Sequence, residues 1–267
     1  MGAETMKLAI LSDLHLEQVP DALLAEREID VGVADVLVLA GDVDLGTRGL
    51  EWAAEKHPGI PIVYVGGNHE PYKRDRIETI EALRAAAAET DNVRFLENEE
   101  CRIEGADGRV VRFLGCTLWT DFMLHGPRFE PEAKIIARMR INDFRLISER
   151  GRSFTPYHAI DAHKESLAWL RARADESGPW DATAVVTHHG VSNLCQPEKY
   201  RCGENAPAFV SALEGEVEVL APDLWVTGHT HYDHDFRLGG TRVVSKQEKY
   251  LHENPNWGRL SPMVVEV

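Results

Sequence analysis

Short apolar runs that end in polar or glycine-rich loops recur along the chain. Five of them are KLAILSDLH (7–15), VLVLAGD (36–42), IPIVYVGGNHE (60–70), ATAVVTHHG (182–190) and DLWVTGHTH (223–231). Near-continuous Val, Leu and Ile runs of this length are typical of strands that are buried on both faces. Good helix formers fill residues 48–57 and 74–89, between the early runs. The alternation of strand and helix predicts an α/β fold.

The middle and the end of the chain carry other patterns. Residues 101–103 and 109–114 predict a hairpin, because the loop between them supplies the glycines that tight turns require. A helical period returns over 131–146 and 156–174, and the C-terminal segment predicts a turn at Gly239-Gly240. With 267 residues, 43% of them hydrophobic, the chain can bury one large core. We therefore expect a single domain over residues 1–267.

The charge balance limits the classes of partner. The chain has 44 acidic and 29 basic residues, a formal net charge of −15, and no block of Lys and Arg. Binding to a nucleic-acid backbone depends on clustered cations, so long nucleic acid is not an expected partner. Phosphate substrates stay possible, because bound metal ions can reverse the local field. No run reaches the roughly 20 apolar residues of a membrane helix, and we predict a cytoplasmic protein without a membrane partner.

The ends of the five apolar runs carry possible metal ligands. In open sheets, ligands bind in the loops at the carboxyl ends of the strands. Each cluster alone is ordinary cap or turn chemistry, but all five occupy the same type of position. Carboxylate, amide and imidazole without thiolate suit Mn, Fe or Zn in a catalytic site. Seven or eight donors exceed the needs of one ion, whereas two ions about 3.5–4 Å apart that share a carboxylate would use them.

These residues resemble a known family. Asp13-x-His15, Gly41-Asp42, Gly67-Asn68-His69-Glu70, His188-His189 and Gly228-His229-Thr230-His231 resemble, in order and rough spacing, the five motifs of the calcineurin-like metallophosphoesterases. The resemblance implies a four-layer αββα sandwich, in which two mixed β-sheets are flanked by helices. It also implies two metal ions, the first held by Asp13, His15 and His231, the second by Asn68, His188 and His229, with Asp42 as the bridge. His69 would stabilise the transition state or protonate the leaving oxygen.

The activity that the resemblance implies is hydrolysis of a small phosphodiester or phosphomonoester by a metal-bridging hydroxide. A helical insertion around 121–178 would form part of the pocket wall. Family members often have a proline soon after the histidine pair, whereas Gly190-Val-Ser follows here. The choice between His188 and His189 is therefore open, and His188 is favoured because it is nearer the strand. The segments LGCTLWTDF (114–122) and Glu253-Asn-Pro255 further resemble a bacterial subgroup whose substrates are mostly unassigned.

Two other interpretations compete with this one. His229-x-His231-x-Asp233-His234 is also the signature of the metallo-β-lactamase fold, but that fold places the motif early and has further ligands downstream. The other alternative is a binding scaffold that has lost its metals, although the complete ligand set favours catalysis.

Polar residues outside the five motifs have simpler explanations. Five residues of the insertion could contact phosphate or a leaving group, although a surface role is the simpler explanation for each: His125, Arg128, Arg138, Arg140 and Asn142. The remaining histidines are predicted to be surface or capping residues: His57, His158, His163 and His252.

Overall fold

A computed structural model describes residues 5–174, 176–250, 252–254 and 260–267 of the protein. The strands are β1 (Lys7–Leu11), β2 (Val36–Ala40), β3 (Ile62–Val65), β4 (Val93–Leu96), β5 (Glu99–Glu104), β6 (Val110–Cys116), β7 (Ser148–Glu149), β8 (Arg152–Ser153), β9 (Ala182–Thr187), β10 (Leu224–Val226), β11 (His234–Leu238), β12 (Thr241–Ser245) and β13 (Met263–Glu266). The α-helices are α1 (Asp21–Leu24), α2 (Arg48–Lys56), α3 (Arg76–Ala88), α4 (Glu130–Arg140), α5 (Asp143–Leu146), α6 (Pro156–Arg171) and α7 (Glu214–Leu220).

Two mixed sheets form the centre of the fold. The first has the order β13-β1-β2-β3-β4, and β13 is its antiparallel edge. The second has the order β11-β12-β10-β9-β6-β5, with parallel strands inside and an antiparallel strand at each edge. β1, β2, β3, β9 and β10 are the five apolar runs of the sequence. Their parallel order within each sheet brings the polar loops that follow them to one edge.

The sheets pack face to face and carry helices on their outer faces. Alternate side chains of the first sheet, such as Ile10 and Val38, join Phe113 and Val226 of the second sheet in one buried cluster. The other side of the first sheet packs against α2 and α3. The other side of the second sheet packs against α6 and α7, where Trp225 is fully buried. These four layers confirm the predicted αββα sandwich with two mixed sheets.

Two helix starts show how the sequence sets the boundaries. The Asp75 side chain accepts hydrogen bonds from the backbone N–H groups of Ile77 and Glu78, which caps α3. Thr155 caps α6 in a reciprocal arrangement with His158, and Pro156 fills the first helical position. His158 is therefore a capping residue, as predicted. His57 and His163 were predicted to be surface or capping residues and are instead buried. His57 Nε2 accepts from the Ile29 N–H at 3.4 Å, and His163 Nδ1 lies 3.2 Å from the Leu118 carbonyl oxygen.

The segment 121–178 contains α4, α5, the small hairpin β7–β8 and α6. The helical pattern predicted over 131–146 divides at Ile141-Asn142, where the backbone of Ile141 is extended. Buried aromatic residues of this segment, including Phe144 and Phe154, form a separate cluster with Trp119 and Phe122. The description of the chain as one domain with a helical insertion remains a prediction. Every helix in the described part of the chain is too short or too polar to span a membrane.

Candidate metal centre

The loops after the five strands converge at one edge of the sandwich. Two groups of possible ligands that form there consist of predicted ligands, and a third joins His15 to Glu17 and His69. Within each group the ligand atoms lie within 4.8 Å of one another. The first group is Asp13, His15 and His231, and the second is Asp42, His188 and His229. Asn68 adjoins the second group, because its Oδ1 is 3.0 Å from His188 Nε2. All seven residues predicted as ligands are thus neighbours in space.

Asp42 lies between the two groups. Its Oδ2 is 4.0 Å from His15 Nε2, and its Oδ1 is 3.4 Å from His188 Nε2. Its carboxylate therefore presents one oxygen to each group. Burial acts to raise the pKa of Asp42, but the charges of His188 and His69 outweigh burial and hold the pKa well below its usual range.

Five of these residues adopt left-handed backbone conformations that non-glycine residues seldom occupy. The φ angles are 55° at Asp13, 45° at His15, 55° at Asp42, 70° at His229 and 51° at His231. Such conformations cost about 1–3 kcal/mol each and cluster at functional sites. Hydrogen bonds between the loops hold them, since the Asp13 carboxylate accepts from the His229 N–H at 3.0 Å and the Asp42 carboxylate accepts from the His69 N–H at 2.8 Å.

The orientation of the imidazoles fits metal ligation. His15 Nδ1 donates to Glu17 Oε1 at 3.2 Å, and His231 Nδ1 donates to Glu253 Oε2 at 2.6 Å. Their Nε2 atoms then carry lone pairs, and these two atoms lie 3.0 Å apart. Two lone pairs at that distance repel unless a proton or a metal cation lies between them. Histidine ligands of metals typically donate their other ring N–H to a carboxylate or a carbonyl in this way.

The second group has the same arrangement around His188. Its Nδ1 donates to the Ala40 carbonyl oxygen at 2.8 Å, which directs Nε2 toward Asn68 and Asp42. Burial lowers the pKa of His188, but the Asp42 carboxylate outweighs burial and raises the pKa to about 10. A negative field that retains a proton so strongly would also attract a metal cation. His189 Nδ1 instead lies 3.2 Å from the Thr117 carbonyl oxygen, away from Asp42.

His69 lies beside both groups at the floor of a cavity. Its Nδ1 donates to Glu17 Oε1 at 3.0 Å, while its Nε2 is 3.8 Å from Asp42 Oδ2 and 3.3 Å from the Tyr250 hydroxyl. The ring stacks on Tyr72 with centroids 4.1 Å apart. Burial lowers the pKa of His69, but the carboxylates of Asp42 and Glu17 outweigh burial and raise the pKa to about 9.

The cavity above the two groups has a volume of about 450 Å³. Aromatic side chains contribute much of its wall: Tyr72, Tyr200, Phe209 and Tyr250. Of the insertion residues considered from the sequence, Arg140 and Asn142 line the cavity, and Arg140 pairs with Glu204 at 2.7 Å. His125, Arg128 and Arg138 do not belong to the described lining.

Residues near the centre that the sequence left without a role are mainly carboxylates. Glu70, quoted within Gly-Asn-His-Glu, accepts from the Gly67 N–H at 2.7 Å and from the Tyr64 hydroxyl at 2.9 Å, so it fixes the loop that carries Asn68 and His69. Asp143 accepts from Asn68 Nδ2 at 2.9 Å, which leaves Asn68 Oδ1 free to face His188. Motif spacing gave no indication of Asp143, because its contact with Asn68 exists only in the folded chain.

Gly67 allows the close approach of two loops at this centre. An added Cβ would lie 2.1 Å from Asp42 Oδ1 and 2.7 Å from the Asp42 backbone nitrogen. We expect Gly67→Ala to displace Asp42, to lower metal affinity and to reduce turnover by about 10²-fold. Isothermal titration with Mn²⁺ and steady-state kinetics measure the two effects. Gly59→Ala is the control, since no described atom lies within 4 Å of its added Cβ; equal behaviour of the two variants would contradict the prediction.

A four-layer sandwich with carboxylate, amide and imidazole groups gathered at its strand ends defines a class of metal-dependent hydrolases. Residues 6–233 match the family model of the calcineurin-like phosphoesterases, and the chain belongs to this family. This family membership makes the alternative metallo-β-lactamase interpretation wrong. The last two residues of that motif also have other partners. Asp233 bonds to Lys246 and to the backbone of Gln247, and His234 Nε2 lies 3.2 Å from the Thr227 hydroxyl.

The first of two similar solved structures shares the fold. Phosphopantetheinyl hydrolase from Mycobacterium tuberculosis has a TM-score of 0.74 at 18% identity, with 100% of this chain and 97% of that chain covered. A protein described as a 5′-nucleotidase from Staphylococcus aureus has a TM-score of 0.45 at 14% identity, over 91% of this chain and 48% of that chain. Among curated protein sequences, none matches the chain significantly.

Proposed function

We propose that this protein is a dinuclear-metal phosphoesterase that hydrolyses a small phosphodiester or phosphomonoester. The observation that carries the proposal is the position of Asp42, with one carboxylate oxygen toward each ligand group. A single metal would not need two groups of donors on opposite sides of one carboxylate. The family membership supports the reaction class.

In this proposal each of the two ligand groups binds one metal ion. Asp13, His15 and His231 would hold the first ion, Asn68, His188 and His229 would hold the second, and Asp42 would be shared between them. Mixed oxygen and nitrogen donors without thiolate favour Mn, Fe or Zn. When bound, the ions would act as Lewis acids on the phosphate oxygens and lower the pKa of water.

His69 is the proposed general acid. Its Nε2 faces the cavity, within 3.8 Å of Asp42 Oδ2, so it can donate a proton to a leaving oxygen of a phosphoester held there. Stacking on Tyr72 and the hydrogen bond to Glu17 restrict the ring to this orientation. A positioned proton donor typically contributes about 10²–10⁴-fold to the rate.

The cavity favours a small diester. Its acidic lining residues include Asp143, Glu204 and Glu253, whereas Arg140 is the one Arg or Lys of the described lining and already pairs with Glu204. A diester carries less negative charge than a monoester dianion, so it meets less repulsion from this wall. We therefore expect higher activity on diesters than on monoesters.

The test is hydrolysis by protein that has been stripped with a chelator and reloaded with Mn²⁺, Fe²⁺ or Zn²⁺. We expect the reloaded protein to cleave bis(p-nitrophenyl) phosphate faster than p-nitrophenyl phosphate, and the stripped protein to cleave neither. Cyclic, monoester and diester phosphate substrates complete the panel. A phosphopantetheinyl ester is added because a protein of the same fold is named phosphopantetheinyl hydrolase. Failure of every reloaded sample on every ester would refute the proposal.

The alternative is a binding scaffold with this fold. It predicts metal binding without turnover of any ester, so the same panel separates the two. The orientation of His69 toward the cavity favours catalysis, because a scaffold has no need for a proton donor there. The cytoplasmic location and the absence of long nucleic-acid and membrane partners remain predictions.

A further inference from the structure

Glu17 is a carboxylate beside the metal centre that belongs to none of the five motifs. It lies in the 3-10 turn Leu16–Gln18, two residues after His15, and its side chain is 11% exposed. Its Oε1 is 3.2 Å from His15 Nδ1 and 3.0 Å from His69 Nδ1. One oxygen atom thus contacts both a proposed ligand of the first metal and the proposed general acid.

The burial of Glu17 requires an explanation. An ionised carboxylate removed from water costs free energy unless it is hydrogen-bonded. Its second oxygen, Oε2, is buried and has no hydrogen-bond partner among the described residues. The two imidazole N–H groups are therefore the interactions that offset its desolvation, and the lack of another polar partner in the described part of the chain indicates a role directed at these rings.

The contact determines which ring nitrogen faces the centre. Because Glu17 accepts the Nδ1–H of both rings, the Nε2 of each ring is the atom available to the site. These two Nε2 atoms lie 4.0 Å and 3.8 Å from Asp42 Oδ2, on His15 and His69 respectively. The rings also touch edge to face, with centroids 4.4 Å apart, so a turn of either ring would disturb the other.

We propose that Glu17 is a positioning residue that orients His15 for metal binding and His69 for proton transfer. One carboxylate then couples the affinity for the first metal to protonation of the leaving group. The second half of this inference rests on the proposed function, since it uses His69 as the general acid. The first half concerns metal affinity alone.

The test is Glu17→Gln, which keeps the size of the side chain and removes its charge. We expect the affinity for the first Mn²⁺, measured by isothermal titration, to fall about 10–100-fold, as is typical when a group that supports a ligating histidine is replaced. At saturating Mn²⁺, kcat should fall more for an alkyl phosphodiester than for bis(p-nitrophenyl) phosphate, because p-nitrophenolate needs less protonation. The control is Glu26→Gln, which removes a carboxylate from an exposed position nearby.

A double-mutant cycle with His69→Asn separates the two effects. In the His69→Asn background, Glu17→Gln should cause no further loss of kcat at saturating Mn²⁺, while the loss of metal affinity should persist through His15. Additive losses of kcat would overturn the coupling, because Glu17 would then act independently of His69. Unchanged metal affinity in Glu17→Gln would overturn the role at His15.

A measurement on the wild-type protein keeps the inference testable if the variant does not fold. In the Zn²⁺-loaded protein, the downfield, slowly exchanging imidazole N–H resonances in proton NMR should include those of Nδ1 of His15 and of His69, beside those expected for His188 and His231. Absence of either resonance would contradict the proposed contact. Failure of the proposed function would give a different result. The wild-type protein would then hydrolyse no ester, although it would show this spectrum and the expected metal affinities.

Discussion

Asp42→Asn is expected to reduce phosphoester hydrolysis by about 10³-fold or more, since metal ions supply several kcal/mol of transition-state stabilisation and each 1.36 kcal/mol is tenfold in rate. The carboxylate presents one oxygen to each ligand group, so one substitution weakens both. The neutral amide also removes the charge that attracts cations to the centre. Metal content after dialysis and kcat at saturating Mn²⁺ measure the two losses.

Asp42→Asn should leave the fold intact, because asparagine has the same size and can keep a hydrogen bond of the aspartate. Asp42 Oδ1 accepts a hydrogen bond from the His69 N–H, and the amide oxygen of asparagine can accept it too. Asp44→Asn is the matched control, because this carboxylate is also buried but pairs with Arg48 and with the backbone of Leu45. We expect the control to keep its metals and its turnover. Wild-type turnover in Asp42→Asn would refute the bridging role.

The sequence predicted the centre because strand ends are local features. An apolar run shows where a strand ends, and parallel order then brings residues as distant as Asp13 and His229 together. The four layers followed from the family resemblance, and the alternation of strands and helices agreed with it. The interruption of the helical pattern at Ile141 was not predicted. The apolar periodicity of the sequence continues across Ile141, although its backbone is extended.

Ring orientation was beyond the sequence. The contacts of Glu17 with two imidazoles depend on how the turn Leu16–Gln18 directs one side chain toward His69, a residue 52 positions away. Tyr250 approaches His69 from a segment still more distant in sequence. His163 was predicted to be a surface or capping residue because it lacked a motif, yet burial requires only a carbonyl partner, which Leu118 supplies. Composition and spacing carry no record of such tertiary pairs.

The three histidines between residues 229 and 234 differ in their position relative to the strands. His229 and His231 follow β10 and join different ligand groups. His234 begins β11 and bonds to Thr227 and to the Tyr232 carbonyl oxygen, so it supports the loop. Position after a strand therefore distinguishes the proposed ligands from structural residues better than the number of histidines does.

His69→Asn is expected to lower kcat by about 10²–10⁴-fold for esters with alkyl leaving groups, the range of general acid catalysis. The loss should be smaller for p-nitrophenyl esters, whose leaving group departs without a proton. Metal affinity should change little, because His69 is not among the proposed ligands. Kinetics across leaving groups of increasing pKa and titration with Mn²⁺ measure the two quantities.

A matched control distinguishes loss of the acid from a general disturbance of the cavity. His252→Asn removes an exposed imidazole that stacks on Tyr250, with centroids 5.6 Å apart, and it should leave kcat unchanged. If His69→Asn lost the same factor for every leaving group, His69 would stabilise charge on the phosphate rather than donate a proton. If it lost its metals as well, the ring would belong to the ligand set, and the pairing of His69 with Glu17 would serve metal binding alone.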